Sequence, residues 1–153
     1  MTRPADPCLR DHGEAAPDGR FFCRATGVAM DGLGVLILGP AGSGKSRLAL
    51  DLMGLGGRLV CDDGVLLSDD GRISRPDAAP PLIEARGVGL LRADPVAEAP
   101  LALTVDLSRP EAERLPPRRM AATPGGPVPL ILGAGHPFLA QAIRQYTRHG
   151  REA

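Results

Sequence analysis

The strongest constraint on this chain is the run Gly39-Pro40-Ala41-Gly42-Ser43-Gly44-Lys45-Ser46. Its spacing is that of a P-loop, a turn whose glycines let backbone N–H groups point inward around phosphates. The N-terminus of the helix that follows adds a partial positive charge. In such a loop Lys45 reaches the β- and γ-phosphates of a nucleoside triphosphate such as ATP, and the Ser46 hydroxyl ligates Mg²⁺. A chance match at this chain's own residue frequencies is on the order of one in a thousand. The flanks agree with the motif. The apolar run Leu33 to Leu38 reads as a strand, and Lys45 to Met53 reads as a helix with Leu48/Leu52 and Ala49/Met53 at i, i+4. Strand, loop and helix together predict an α/β fold.

Lysine usage isolates the same position. Of 18 basic residues only Lys45 is lysine; the rest are arginine. Ala, Gly, Pro and Arg are abundant while Asn and Trp are absent, as in GC-rich coding. A chain so depleted in lysine retains one where an ammonium has a specific task. The 153 residues make one ordinary domain. Residues 1–20 carry Pro, Gly and charge without periodicity and are expected to be loose, with a single domain over 21–153. The formal charge of zero gives no reason to expect nucleic acid or a membrane surface as partner. The polar, charged N-terminus does not read as a signal peptide, so a cytoplasmic location is expected. Cys8, Cys23 and Cys61, odd in number and without a CxxC pair, argue against a disulfide framework or a zinc site.

The rest of the pattern is mostly strand and turn. Asp31-Gly32 between two apolar runs predicts a tight hairpin, so the strand entering the P-loop should pair antiparallel with Phe21 to Met30. Short strands are expected at Arg58 to Cys61, and at Gly64 to Leu67 and Arg72 to Ser74 as a hairpin. Leu101 to Leu107 and Val128 to Leu132 complete the strands, with an exposed loop over 109–127. Pro137 is expected to start a helix that puts Phe138, Leu139, Ala142, Ile143 and Tyr146 on one face.

Two further groups bear on chemistry. Asp62-Asp63 follows a short apolar strand. A carboxylate at a strand end beside a P-loop can hold Mg²⁺ or accept a proton from a substrate hydroxyl; a solvated turn is the plain alternative. Asp106, at the end of Leu101 to Val105, is a rival acidic strand end, ranked lower because Leu107-Ser108 continues past it. Glu84 and Arg86, two apart in an extended segment, point the same way. The carboxylate could take Mg²⁺ and the guanidinium phosphate, against a surface salt bridge as the plain reading. His136 beside Pro137 reads as a cap or loop residue, and Arg114, Arg118 and Arg119 as an exposed basic loop.

Together these residues resemble the catalytic domain of HPr kinase/phosphorylase, the bacterial enzyme that phosphorylates a serine of the phosphocarrier HPr. The likeness rests on the P-loop and its preceding hairpin, on Arg58-Leu59-Val60-Cys61-Asp62-Asp63, and on Ile83-Glu84-Ala85-Arg86-Gly87-Val88-Gly89. It implies a P-loop kinase domain of the phosphoenolpyruvate carboxykinase-like type, with a mixed, largely antiparallel sheet. It implies ATP or pyrophosphate in the cradle from Gly39 through Ser46, Mg²⁺ on Ser46 and Glu84, and one of Asp62 and Asp63 as base. Lys45 and Arg86 complete the reacting set that the likeness implies. The implied activity is Mg²⁺- and ATP-dependent phosphorylation of an HPr-like carrier, with the reverse phosphorolysis as a second reaction. The implied assembly is a homo-oligomer, in that family often a hexamer, and the implied type is the short α-proteobacterial form. This sequence departs from the pattern in two places. Arg24 stands near the family's functional histidine, and Leu130 to Phe138 lacks the family's basic residues. A nucleotide-binding regulator with impaired catalysis, or a P-loop kinase for another substrate, is therefore the alternative expectation.

Overall fold

The computed structural model describes residues 9–153. A 3₁₀ turn, Leu9–His12, leads into β1 (Gly13–Ala15), β2 (Phe21–Cys23), β3 (Thr26–Met30) and β4 (Leu33–Leu38). Helix α1 (Lys45–Gly54) follows the P-loop, then β5 (Arg58–Cys61), β6 (Val65–Leu67) and β7 (Arg72–Ser74). Next come β8 (Leu82–Ala85), β9 (Gly89–Arg92), β10 (Glu98–Asp106), β11 (Arg119–Thr123), β12 (Gly126–Leu132) and helix α2 (Leu139–His149).

Ten strands form one sheet in the order β1-β2-β6-β7-β10-β4-β3-β5, with β12 joined to β10 and β11 to β12. Only β10–β4 and β10–β12 are parallel; the other pairs in this sheet are antiparallel. The fold is thus α/β with a mixed, largely antiparallel sheet, as expected. The hairpin at Asp31-Gly32 forms with φ of 52° and 80°, the positive pair that a type I′ turn requires. It sets Thr26 opposite Ile37 and Met30 opposite Leu33.

The continuous apolar character of β4 has a direct cause: both faces of the strand are covered. Val35 and Ile37 join a core with Leu48, Ala49 and Leu52 of α1 and Leu139, Ala140 and Ile143 of α2. Leu36 and Leu38 join a second core with Cys23, Val60, Val65 and Ile73. Helix α1 stops where Gly57 N–H donates to Leu52 O at 2.9 Å and Gly56 adopts φ of 100°.

Three expectations need correction. Part of the segment expected to be loose is built into the fold: β1 pairs with β2, and Leu9 is fully buried in the second core. A single leucine anchors this stretch, and one apolar residue makes no periodicity to read. The stretch 109–127 is not one exposed loop. Its second half, β11, pairs with β12, and Ala121 is fully buried. Arg119 and Glu111 form a two-point ion pair at 2.8 and 3.0 Å, each side chain only 16% exposed. Paired in this way, the guanidinium can sit in partly dry surroundings. Finally, α2 starts at Leu139, so Phe138 stands before it and is 59% exposed, packed edge-on against His136 rather than on the apolar face. Among the described residues no helix is long and apolar enough to cross a membrane.

Leu9→Ala should therefore lower the free energy of unfolding by about 2–4 kcal/mol in urea titration, while Leu115→Ala, at a residue 68% exposed, should stay within about 0.5 kcal/mol. A second expectation concerns pH. Burial pushes the Cys23 thiol up to about 12, partly opposed by Lys45 nearby. The unfolded thiol ionises first, so this stabilisation is complete below the ordinary thiol value and is lost as pH rises toward 12. The loss should approach about 1.4 kcal/mol per pH unit in alkaline solution, and Cys23→Ala should flatten that slope.

Candidate active site

The P-loop links the end of β4 to the start of α1. Gly39, Gly42 and Gly44 adopt φ of 154°, 82° and 99°, conformations that side chains rarely reach. At Gly39 space also matters. A Cβ there would lie 2.4 Å from Ser43 Oγ. That hydroxyl is buried and has no hydrogen-bond partner among the described residues. A buried hydroxyl without a partner is costly, and a phosphate oxygen would satisfy it. Lys45 Nζ donates to Gly39 O at 2.7 Å, so the ammonium lies across the loop's own mouth.

Behind the loop, Asp62 is tied at three points. Its Oδ1 accepts from Ser46 Oγ at 2.9 Å and from Thr26 Oγ1 at 3.2 Å, and its Oδ2 accepts from Glu84 N–H at 3.2 Å. Asp63 is different. It is exposed, with a left-handed φ of 58°, and it lines a cleft of about 620 Å³. Gly39, Pro40, Ala41, Lys45 and Ser108 share that cleft from the P-loop side. The left-handed turn is what separates the two carboxylates. Next to it, Gly64 N–H donates to Ala25 O at 2.7 Å and pins the chain.

The other sequence-predicted residues divide. Glu84 enters through its backbone, as the donor to Asp62, while its side chain is exposed. Ile83 and Ala85 face inward and Glu84 outward, the alternation expected of a strand. Arg86 is not among the residues lining the P-loop cleft. It lies on the shallow depression of the β8–β9 hairpin, with Val88 and Leu90 exposed beside it. No ion pair between Glu84 and Arg86 is found among the described residues. Asp106 sits beside Leu38 in parallel register, but its Oδ1 is taken by Ser108 N–H and Oγ at 2.8 and 2.6 Å. Its effect is to hold Ser108 at the cleft. His136 Nδ1 accepts from Phe138 N–H, which makes it a turn residue.

Sequence reasoning missed the opposite wall. Asp11, His12, Gly13, Glu14 and Arg24 complete the cleft. It also missed Thr26, fully buried against Asp62. A lone threonine in an apolar strand gave a faint signal; the 11–14 segment gave none.

The donor set fits a triphosphate and a hard cation. Backbone amides in a positive-φ loop, an ammonium and an unpartnered hydroxyl suit phosphate oxygens. A serine hydroxyl beside a carboxylate, Ser46 on Asp62, suits Mg²⁺, which is commonly held by one or two protein oxygens together with phosphates and water. Fold and site thus define a P-loop domain on a mixed sheet with a paired aspartate behind the loop.

Similarity to known proteins points to one family. The family model of the HPr Serine kinase C-terminal domain matches residues 21–96. HPr kinase/phosphorylase 1 of Oceanobacillus iheyensis is 45% identical over 76 residues, which take in 46% of this chain and 24% of that protein. HPr kinase/phosphorylase of Polaromonas naphthalenivorans is 45% identical over 83 residues, 47% of this chain and 26% of that protein. The solved Hpr(Ser) kinase/phosphatase from Coxiella burnetii superposes with a TM-score of 0.70 at 32% identity, covering 83% of this chain and 88% of that one. The chain belongs to the HPr serine kinase family, as a form of its C-terminal domain. The matches span about a quarter of the curated relatives' length.

Gly39→Ala should leave the fold intact, since the loop lies outside the sheet, but displace Ser43. The expected result is a loss of ATP affinity of tenfold or more by calorimetry, with thermal stability reduced by no more than about 1 kcal/mol.

Proposed function

We propose that this domain transfers the γ-phosphoryl group of ATP, with Mg²⁺, to a serine hydroxyl of an HPr-like carrier protein. The observation that carries the reading is the division of labour in Asp62-Asp63. Asp62 is held by Ser46, Thr26 and the Glu84 backbone, while Asp63 is free of such bonds among the described residues and faces the cleft with Lys45. The names of the relatives support the choice of acceptor.

ATP supplies the phosphoryl group, and Mg²⁺ neutralises charge between its terminal phosphates. The chain's residues do the rest. The loop amides and Ser43 hold the phosphates. Lys45 leaves Gly39 O to meet them. Ser46 and Glu84 hold the metal, with Asp62 positioning Ser46. Asp63 takes the proton from the serine hydroxyl as its oxygen bonds to phosphorus. The bond to the bridging oxygen breaks with its electron pair staying on ADP. In the second reaction an oxygen of inorganic phosphate bonds to the phosphoserine phosphorus, and the bond from phosphorus to serine Oγ breaks with its electron pair on Oγ. Oγ takes a proton from Asp63, and pyrophosphate leaves from the same cradle. Arg86, on the hairpin depression, bears on the acceptor surface rather than on the loop.

Label transfer from ATP to the carrier tests the assignment. Asp63→Asn should lower kcat by about 10²- to 10⁴-fold with the KM for ATP within about twofold. Asp62→Asn should chiefly raise the Mg²⁺ concentration needed, and Lys45→Ala should abolish nucleotide binding. Full activity in Asp63→Asn would remove it as the base. Lys45-dependent ATP binding without transfer to any carrier would select the regulator reading instead.

A further inference from the structure

The cleft has a second cation that the P-loop does not explain. Among its described lining residues the positive side chains are Lys45, from the P-loop, and Arg24, from the β2–β3 connection. Arg24 lies between β2 and β3, ahead of the β3–β4 hairpin that leads into the loop. Its backbone N–H donates to His12 O at 2.8 Å, which fixes it to the 3₁₀ turn and β1. Among the described residues its guanidinium has a weak hold: one 3.6 Å contact with Glu14 Oε1, with the two side chains 62% and 71% exposed. An exposed pair of that length contributes little. A phosphate offers the guanidinium a bidentate partner in matching geometry, with charge-assisted bonds about twice as strong as neutral ones.

The cleft's other ionisable groups sharpen the point. Asp11, Glu14 and Asp63 are acidic and would repel a phosphate that extended past the loop. Lys45 lies across the loop's mouth, on Gly39 O, and serves the phosphates held there. Among the described residues lining the cleft, Arg24 is the cation besides Lys45 that can offset that repulsion. The wall itself, residues 11–14, lies outside the 21–96 segment that matches the family.

We propose that Arg24 is the second phosphate-binding cation of this cleft, parked on Glu14 until a terminal phosphoryl group reaches the outer wall. This rests on the nucleotide reading above. The phosphoryl group is one borne by the nucleotide or by the acceptor, since either would enter the cleft that Lys45 and Arg24 share.

Calorimetric titration of the full chain, with Mg²⁺, tests it using ATP, ADP, and inorganic phosphate added to the ADP-loaded protein. Arg24→Ala should weaken ATP about tenfold or more and ADP less than about twofold, and Arg24→Lys should recover part of the loss. Glu14→Gln, which removes the competing carboxylate, should tighten ATP. A loss confined to ATP assigns the nucleotide's own phosphate. A loss confined to inorganic phosphate assigns the acceptor's. Either supports the proposal. Unchanged binding of ATP and phosphate by Arg24→Ala overturns it while leaving the P-loop reading intact. So does an equal loss for ATP and ADP with a lowered melting temperature, which would mean that Arg24 only staples β1 to the fold. Wild-type protein that binds neither ATP nor ADP removes the nucleotide reading and this inference together.

Discussion

The carboxylate of Asp62 is the junction on which the site depends. Three parts of the chain far apart in sequence meet there: Ser46 from the first turn of α1, Thr26 from β3, and the Glu84 backbone from β8. The β8–β9 hairpin is a two-stranded sheet of its own and has no strand partner in the main sheet. Its position rests on Ile83 in the helix-side core and on the Asp62 contact. Hydrogen bonds to a charged acceptor are stronger than neutral ones and more costly to lose when partly buried. One anchored carboxylate thus fixes the P-loop helix, the strand beside it and the β8–β9 hairpin in a common frame. It also leaves the neighbouring Asp63, turned away by its left-handed backbone, available to the cleft.

How much of this could be read in advance depended on range. The P-loop, α1 and the Asp31-Gly32 hairpin are specified by neighbouring residues, and all three formed as expected. The parallel pairing of β10 with both β4 and β12 is set by contacts between distant segments, and no local pattern announces it. The same holds for β11, whose composition of Arg, Met, Ala and Thr reads as loop until Glu111 pairs with Arg119 and Ala121 is buried. Asp62 and Asp63 were legible as a pair but not in their two different settings, one tied and one exposed. Their difference lies in a backbone angle and in bonds from residues 26 and 84. The outer wall of the cleft was illegible because one buried residue, Leu9, holds the strap down.

The arrangement also orders the steps by geometry. In this structure Lys45 rests on the loop's own carbonyl and Arg24 on a nearby glutamate, so both cations are held by weak or local partners. A site that must admit a polyanion and release another is served by cations that exchange partners at little cost. Asp62, by contrast, is held by three partners from distant parts of the chain. The division is between a fixed frame behind the loop and exchangeable charges in front of it.

The central claim is that Asp62 frames and Asp63 acts. A crystal structure of the chain with Mg²⁺ and a non-hydrolysable ATP analogue tests it most directly. The account predicts that Asp62 keeps its bonds to Thr26 and the Glu84 N–H, with Asp63 within about one water's reach, roughly 3–5 Å, of the site where a hydroxyl would attack the γ-phosphorus. A γ-phosphate that instead faces Asp62, with Asp63 turned to bulk solvent, would contradict it.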